Sequence, residues 1–290
     1  MRDLVVKYLD FLRYEQLGSE NTGIIRKSGL YKLVDYLETR EGIYHIEEIK
    51  LHHLRAYISY LRTEEGCEPS SVCTAISTLR SFFHFAEKKG YVSKNLALKL
   101  KKPQVQQKEV EYFTWEEIEK LFLSVPRGRN FLRDTCILLM FYYCGLRRSE
   151  LKHVKIADLS SDLSELYVEK AKGEKSRLLP VHPFLKKTLK LYLEDCCYPD
   201  QVYLFPNKSG HPIADVTIHK IVKKCGEKAG INDKRVSPHV FRHSFATHLH
   251  QKGVDIHRLS QLLGHVNIEK TAIYTHTEDE ELVEAVSNLV

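Results

Sequence analysis

The chain has one tryptophan and two methionines in 290 residues, and no apolar run long enough to span a bilayer. Its N-terminus has no signal-peptide core. These absences argue against secretion and membrane insertion, and the expectation is a cytoplasmic protein with no membrane partner. There are seven cysteines, but the number is odd, Cys196 and Cys197 are adjacent, and no C-x-x-C spacing occurs. Neither a disulfide framework nor a zinc knuckle follows. No H-E-x-x-H occurs, and His243, His248 and His250 do not share one helical face, so the 15 histidines do not point to a metal. Internal repeats and low-complexity tracts are missing. Acids are missing from Val92 to Lys108, and bases are missing beyond Thr277.

What is present is enough apolar residue, 43% of the chain, for two core-bearing domains. The net charge of +6 understates the basic character. Glu278, Asp279, Glu280, Glu281 and Glu284 concentrate acid in the tail, so the rest carries a larger excess suited to a polyanionic partner. An ordinary soluble basic protein would show the same totals.

Residues 4–96 read as four amphipathic helices. Their stripes are Leu4, Val5, Tyr8, Leu9 and Leu12; then Ile24, Ile25, Leu30, Leu33, Val34 and Leu37; then Leu54, Tyr57, Ile58 and Leu61; then Val72, Ile76, Leu79, Phe82, Phe83 and Ala86. A small helical bundle over residues 1–97 is expected. Residues 98–110 read as a basic linker, with Lys99, Lys101, Lys102 and Lys108 around Pro103 and a glutamine-rich run. Its lysines could meet phosphates without reading bases. Residues 111–290 open on a capping box, Thr114 to Glu117, followed by an apolar helix from Phe131 to Tyr143 that Gly145 can close. Leu166–Val168 and Leu178–Val181 are strand candidates, with Val202–Phe205 a further one. Helices are expected over residues 183–193 and 214–229. The expected fold is mainly α with a small antiparallel sheet.

The most informative stretch runs from Ser237 to Tyr274. Ser237 before Pro238 is a helix start, with a hydroxyl at the N-cap and proline at the first position. His239 and Arg242, three apart, share a helical face. Asp255 can cap the next helix, which places His265 at a helix end nine residues before Tyr274. Guanidinium forks bind phosphate oxygens, imidazoles donate hydrogen bonds or move protons, and a phenol can attack.

These residues resemble the tyrosine recombinase (phage integrase) family. The likeness rests on His239-x-x-Arg242 with the following His-Ser-Phe-Ala-Thr-His-Leu, on Leu263-Gly-His265, and on Ile273-Tyr274-Thr-His276. Gly145-Leu-Arg147-Arg-Ser-Glu150-Leu looks like the first arginine box, and Ala171-Lys172-Gly173 to Pro180 like the catalytic-lysine hairpin. Five pieces occur in order over the last half of the chain.

The resemblance implies an N-terminal four-helix, SAM-like core-binding domain and a C-terminal catalytic domain. It assigns Arg147 and Arg242 to the scissile phosphate, with Arg147 preferred to Arg148 because it directly follows Gly-Leu. Tyr274 becomes the nucleophile and Lys172 the general acid, with Lys175 as competitor because Ala171 departs from the usual glycine. His239 becomes proton acceptor or phosphate ligand, His265 a phosphate donor, and Glu150 a buttress. Arg80, Lys99, Lys101, Lys102 and Lys175 become DNA-backbone contacts.

No metal, cofactor or ATP is implied. The implied partner is double-stranded DNA with inverted half-sites, bound by a homotetramer that exchanges its C-terminal tail helices. An accessory protein or second recombinase stays open, as does dimer resolution against mobile-element exchange. The short N-terminal region leans to a two-domain recombinase. The competing readings are a type IB topoisomerase, a DNA-binding regulator without catalysis, and a metal-dependent nuclease, which EDTA would silence.

Overall fold

The computed structural model describes residues 1–15, 20–105, 111–169, 176–196 and 200–264, with Val286 and Leu289. It divides into two compact units, Met1–Lys108 and Glu109–Val290. Among the described residues, no helix is long and apolar enough to cross a membrane.

The first unit holds helices α1 (Arg2–Tyr14), α2 (Glu20–Tyr36), α3 (Leu51–Thr63) and α4 (Pro69–Lys88). Their apolar stripes meet in one core that includes Tyr8, Leu30, Leu33, Tyr57, Phe82 and Phe83. One expected stripe needs correction. Ile24 and Ile25 are 59% and 54% exposed. Lying five and six residues before Leu30, they fall roughly 120–140° round the helix from it. Arg26, one turn before Leu30, takes the inward place: its Nη1 donates to Tyr8 Oη at 2.8 Å and Ser81 Oγ at 2.9 Å.

The basic segment after α4 starts as part of this unit. Asn95 Oδ1 accepts from Ala97 N, and Ala97 and Leu100 are buried in the core. Arg80 Nη2 donates to Leu100 O at 2.6 Å and Asn95 Nδ2 to Arg80 O at 2.9 Å.

The second unit contains α5 (Trp115–Leu123), α6 (Phe131–Tyr143), α7 (Arg148–His153), α8 (Pro183–Cys196), α9 (Asp215–Ala229), α10 (Pro238–Gln251) and α11 (Ile256–Leu263). Strands β1 (Glu165–Val168) and β2 (Arg177–Pro180) pair antiparallel, with Glu165 opposite Pro180 and Val168 opposite Arg177. The Thr114 capping box forms, with Glu117 Oε2 accepting from Thr114 N at 2.7 Å. Helix α6 is buried on every side from Cys136 to Tyr143, as expected of an apolar helix at the centre. Val202–Phe205 does not make a strand; Tyr203 forms only an isolated bridge to Lys155, while Leu204 and Phe205 enter the core. Ser237 stands at the N-cap of α10 without a side-chain cap bond, whereas Asp255 caps α11 through His257 N at 2.8 Å.

Two contacts lock α10 in place. Gly145 has φ +56, and a Cβ there would lie 2.5 Å from Phe245 Cδ1, so glycine is required for both conformation and space. His248 is buried, stacks on Trp115 at 3.7 Å and shares a 2.8 Å hydrogen bond with Tyr142 Oη. Burial lowers its pKa to about 4, against the opposing pull of a backbone hydrogen bond at Phe113 and the charge of Glu116.

The unfolded chain therefore binds this proton more readily than the folded one. Stability is full above the ordinary histidine value of about 6.5 and falls as pH drops towards 4, by on the order of 3 kcal/mol. A melting series across that window should show the loss. His248→Gln should be less stable at neutral pH yet show a shallower slope; parallel slopes would remove His248 as the cause.

Candidate active site

The site forms where α7, β2, α10 and the end of α11 meet. Arg147 is the N-cap of α7, and Glu150, at its third position, reaches back to Arg147 N at 2.8 Å. The same carboxylate takes Arg147 Nη1 at 2.9 Å. Arg177, the first residue of β2, adds a two-pronged contact, Nη1 to Oε1 at 2.9 Å and Nη2 to Oε2 at 2.8 Å. Arg242 reaches from α10 to within 3.7 Å of Oε2. Three guanidinium groups from three elements thus surround one carboxylate whose side chain is 3% exposed.

The C-terminus of α11 completes the cluster. Helix ends leave carbonyls without partners inside the helix, and cations are favoured there. Arg242 Nη2 donates to Leu263 O, and Arg147 Nη2 to Gly264 O at 3.4 Å. Arg242 Nη1 also donates to Gly145 O at 2.7 Å, so the glycine closing α6 supplies a carbonyl to the site. Gly264 turns with φ +65, and a Cβ on it would stand 2.9 Å from Arg177 Nη1. Only glycine gives both the turn and the room.

The electrostatics follow from this geometry. Burial alone would raise the Glu150 pKa, but hydrogen bonds and charge from Arg177 and Arg147 outweigh it and hold the carboxyl below its ordinary value. Glu150 is therefore ionised at neutral pH. His239 stands one turn from Arg242 on α10. Partial burial, then the charges of Arg148, Arg242, Arg235 and Arg147, push its pKa below the usual imidazole value. It is a neutral ring at physiological pH, able to accept a proton.

The two adjacent arginines separate clearly. Arg147 enters the cluster, whereas Arg148 Nε pairs with Asp215 Oδ1 at 3.0 Å on α9. Arg147, Arg242 and His239 are brought to one place. Lys172, Lys175, His265 and Tyr274 lie outside the described residues, as does the expected tail helix except Val286 and Leu289, which are buried in the second unit's core. Lys99, Lys101 and Lys102 are exposed. Arg80, expected at a phosphate, donates from Nε and Nη2 to the Ala97, Leu98 and Leu100 carbonyls.

Sequence reading did not single out two features. Arg177 was only one letter of a motif, with no local sign that it is buried. The second is a cleft lined by Arg127, Arg129, Lys220 and Lys224, with Asp134 as its acid. The lysines of α9 are distant in sequence from the arginines of the loop before α6, so no local pattern shows the cleft.

Known proteins give the following likenesses. Residues 111–281 match the phage integrase family, and residues 5–90 match the N-terminal SAM-like domain of phage integrases. The chain is 32% identical to the tyrosine recombinase XerC of Oceanobacillus iheyensis, over 96% of this chain and 92% of that protein. It is also 32% identical to the tyrosine recombinase XerD of Listeria innocua, over 95% of this chain and 94% of that one. Among solved structures it resembles a lambda integrase tetramer bound to a Holliday junction, with TM-score 0.70 at 19% identity over 96% of this chain and 80% of the other; that likeness shows the fold.

Proposed function

This chain belongs to the phage integrase family of tyrosine recombinases, and we propose that it recombines DNA at specific sites through a phosphotyrosyl link on Tyr274. The observation that carries the reading is the convergence of Arg147 and Arg242, with neutral His239 beside them, around one buried carboxylate. In-line transfer at a phosphodiester adds negative charge at phosphorus, and fixed guanidinium donors meet that charge without reorganising.

In the proposed step, the Tyr274 phenol oxygen attacks phosphorus and the bond to the 5′-oxygen breaks. Lys172 gives its proton to that leaving oxygen. His239 takes the phenol proton, and His265 donates a hydrogen bond to a non-bridging oxygen. The products are a 3′-phosphotyrosyl link and a free 5′-hydroxyl. Because the link keeps the phosphodiester energy, the reverse attack by a 5′-hydroxyl reseals a strand without ATP. Two protomers on inverted half-sites, and two such sites, would exchange strands through a four-way junction. Tail exchange between protomers is part of the same proposal.

The direct test incubates the protein in EDTA with nicked duplexes from its neighbouring DNA and runs denaturing gels. A covalent protein–DNA band, with the nucleotide mapped to the Tyr274 peptide, is expected. Tight binding with no band on any duplex would overturn the reading.

The cleft of Arg127, Arg129, Lys220 and Lys224 suits backbone phosphates. Arg127→Ala and Lys224→Ala should each weaken binding to all duplex sequences alike. Each should reduce the slope of log affinity against log salt by about one. An unchanged slope would place these residues off the DNA.

A further inference from the structure

We infer that Arg177 is a positioning residue that sets the charge of the active site: by engaging Glu150 with both terminal nitrogens, it offsets that carboxylate and makes the arginine cluster facing the phosphate one charge more positive. The inference rests on the recombinase reading above. Counted over the described residues, three arginines and one carboxylate give the cluster a formal charge of +2. The five-coordinate phosphorus reached during transfer carries two negative charges, one more than the phosphodiester. Without Arg177, the Glu150 charge would be matched by Arg147 and Arg242 alone, and the cluster would fall to +1.

Geometry separates Arg177 from its neighbours. It holds Glu150 through both terminal nitrogens, and its side chain is 8% exposed, against 22% for Arg147 and 7% for Arg242. Arg147 and Arg242 both also donate to main-chain carbonyls at the site, Gly264 and Gly145. Arg177 faces the carboxylate and the flat surface of Gly264, which leaves no room for a Cβ. Its Nε is buried with no hydrogen-bond partner among the described residues. A buried donor without an acceptor is costly, and buried ion pairs seldom out-stabilise an apolar replacement. Stability alone therefore does not account for an arginine here. A requirement for its charge does. Arg177 also opens β2, five residues after Lys172 in sequence, so the same pair anchors the strand that leaves the proposed general acid.

The test compares single-turnover cleavage of a nicked duplex, duplex affinity and melting temperature for four proteins: the parent, Arg177→Met, Arg177→Lys, and Arg177→Met with Glu150→Gln. Arg177→Met should cleave about ten- to a hundredfold more slowly, the effect of one unit charge at short range in a partly screened site, with duplex affinity changed far less. Arg177→Lys should recover most of the rate. The double variant restores the +2 charge and should cleave faster than Arg177→Met alone.

A purely structural role predicts the reverse, with the double variant no better than the single one and rates following melting temperature. That outcome overturns the inference, as does an Arg177→Met rate equal to the parent's. Absence of an adduct from the parent itself would instead strike the recombinase reading.

Discussion

Tyr274→Phe is expected to bind duplex DNA as tightly as the parent and to form no covalent adduct. The substitution removes one oxygen and leaves the ring, so contacts to DNA made by other residues are kept. The loss in cleavage should exceed about 10⁴-fold, since no second group in the proposed mechanism can take the nucleophile's place. The arginines would still stabilise the transition state of an attack that no longer has an attacker. Water is a poor substitute, because the product it makes is not a phosphotyrosine and cannot be resealed. Two readouts separate this from misfolding: gel-shift affinity unchanged, and a melting curve like the parent's. A persistent adduct in Tyr274→Phe would reassign the nucleophile to another of the chain's tyrosines or remove tyrosine chemistry altogether.

The sequence was most legible where chemistry depends on neighbours in the chain. Arg147 and Glu150 are three apart, so one helical turn brings them together. His239 and Arg242 share a face of α10 for the same reason. Arg177 was not legible because its partner lies 27 residues away across a strand and a helix. Nothing local distinguishes a buried arginine from a solvated one.

Arg80 shows the same limit in the other direction. It is an isolated cation in the apolar helix α4, and the chain folds back to offer it three carbonyls. In α2, two isoleucines next to an apolar stripe were read into it, though their angular position faces solvent and Arg26 turns inward. At Val202–Phe205 the apolar run was real, but burial came from Leu204 and Phe205 entering the core, not from strand pairing. Periodicity reports which side chains are buried more surely than how the backbone is hydrogen-bonded.

Glu150→Ala should be among the most destabilising single substitutions in the second unit. The carboxylate accepts from Arg147 N, Arg147 Nη1 and both terminal nitrogens of Arg177, and lies near Arg242. Removing it leaves three guanidinium groups crowded together, two of them almost fully buried. Breaking a buried pair from one side costs about 3–5 kcal/mol, far more than an exposed salt bridge would. For a domain of this size that corresponds to a melting temperature lower by about 6–20 °C.

Acid gives a second check. The folded-state pKa of Glu150 is depressed, so its contribution is present above the ordinary carboxylate value and is lost as pH falls below it. The gap in stability between the parent and Glu150→Ala should therefore narrow progressively as pH falls below about 4.3, the unperturbed glutamate value. The histidine loss described for His248 begins at higher pH and is shared by both proteins, so it cancels in the difference. DNA should partly rescue the variant, because phosphate supplies the missing negative charge to Arg147 and Arg242. If Glu150→Ala melts with the parent, or if the gap between them ignores pH, the carboxylate does not hold the three arginines together and the charge model of the site fails with it.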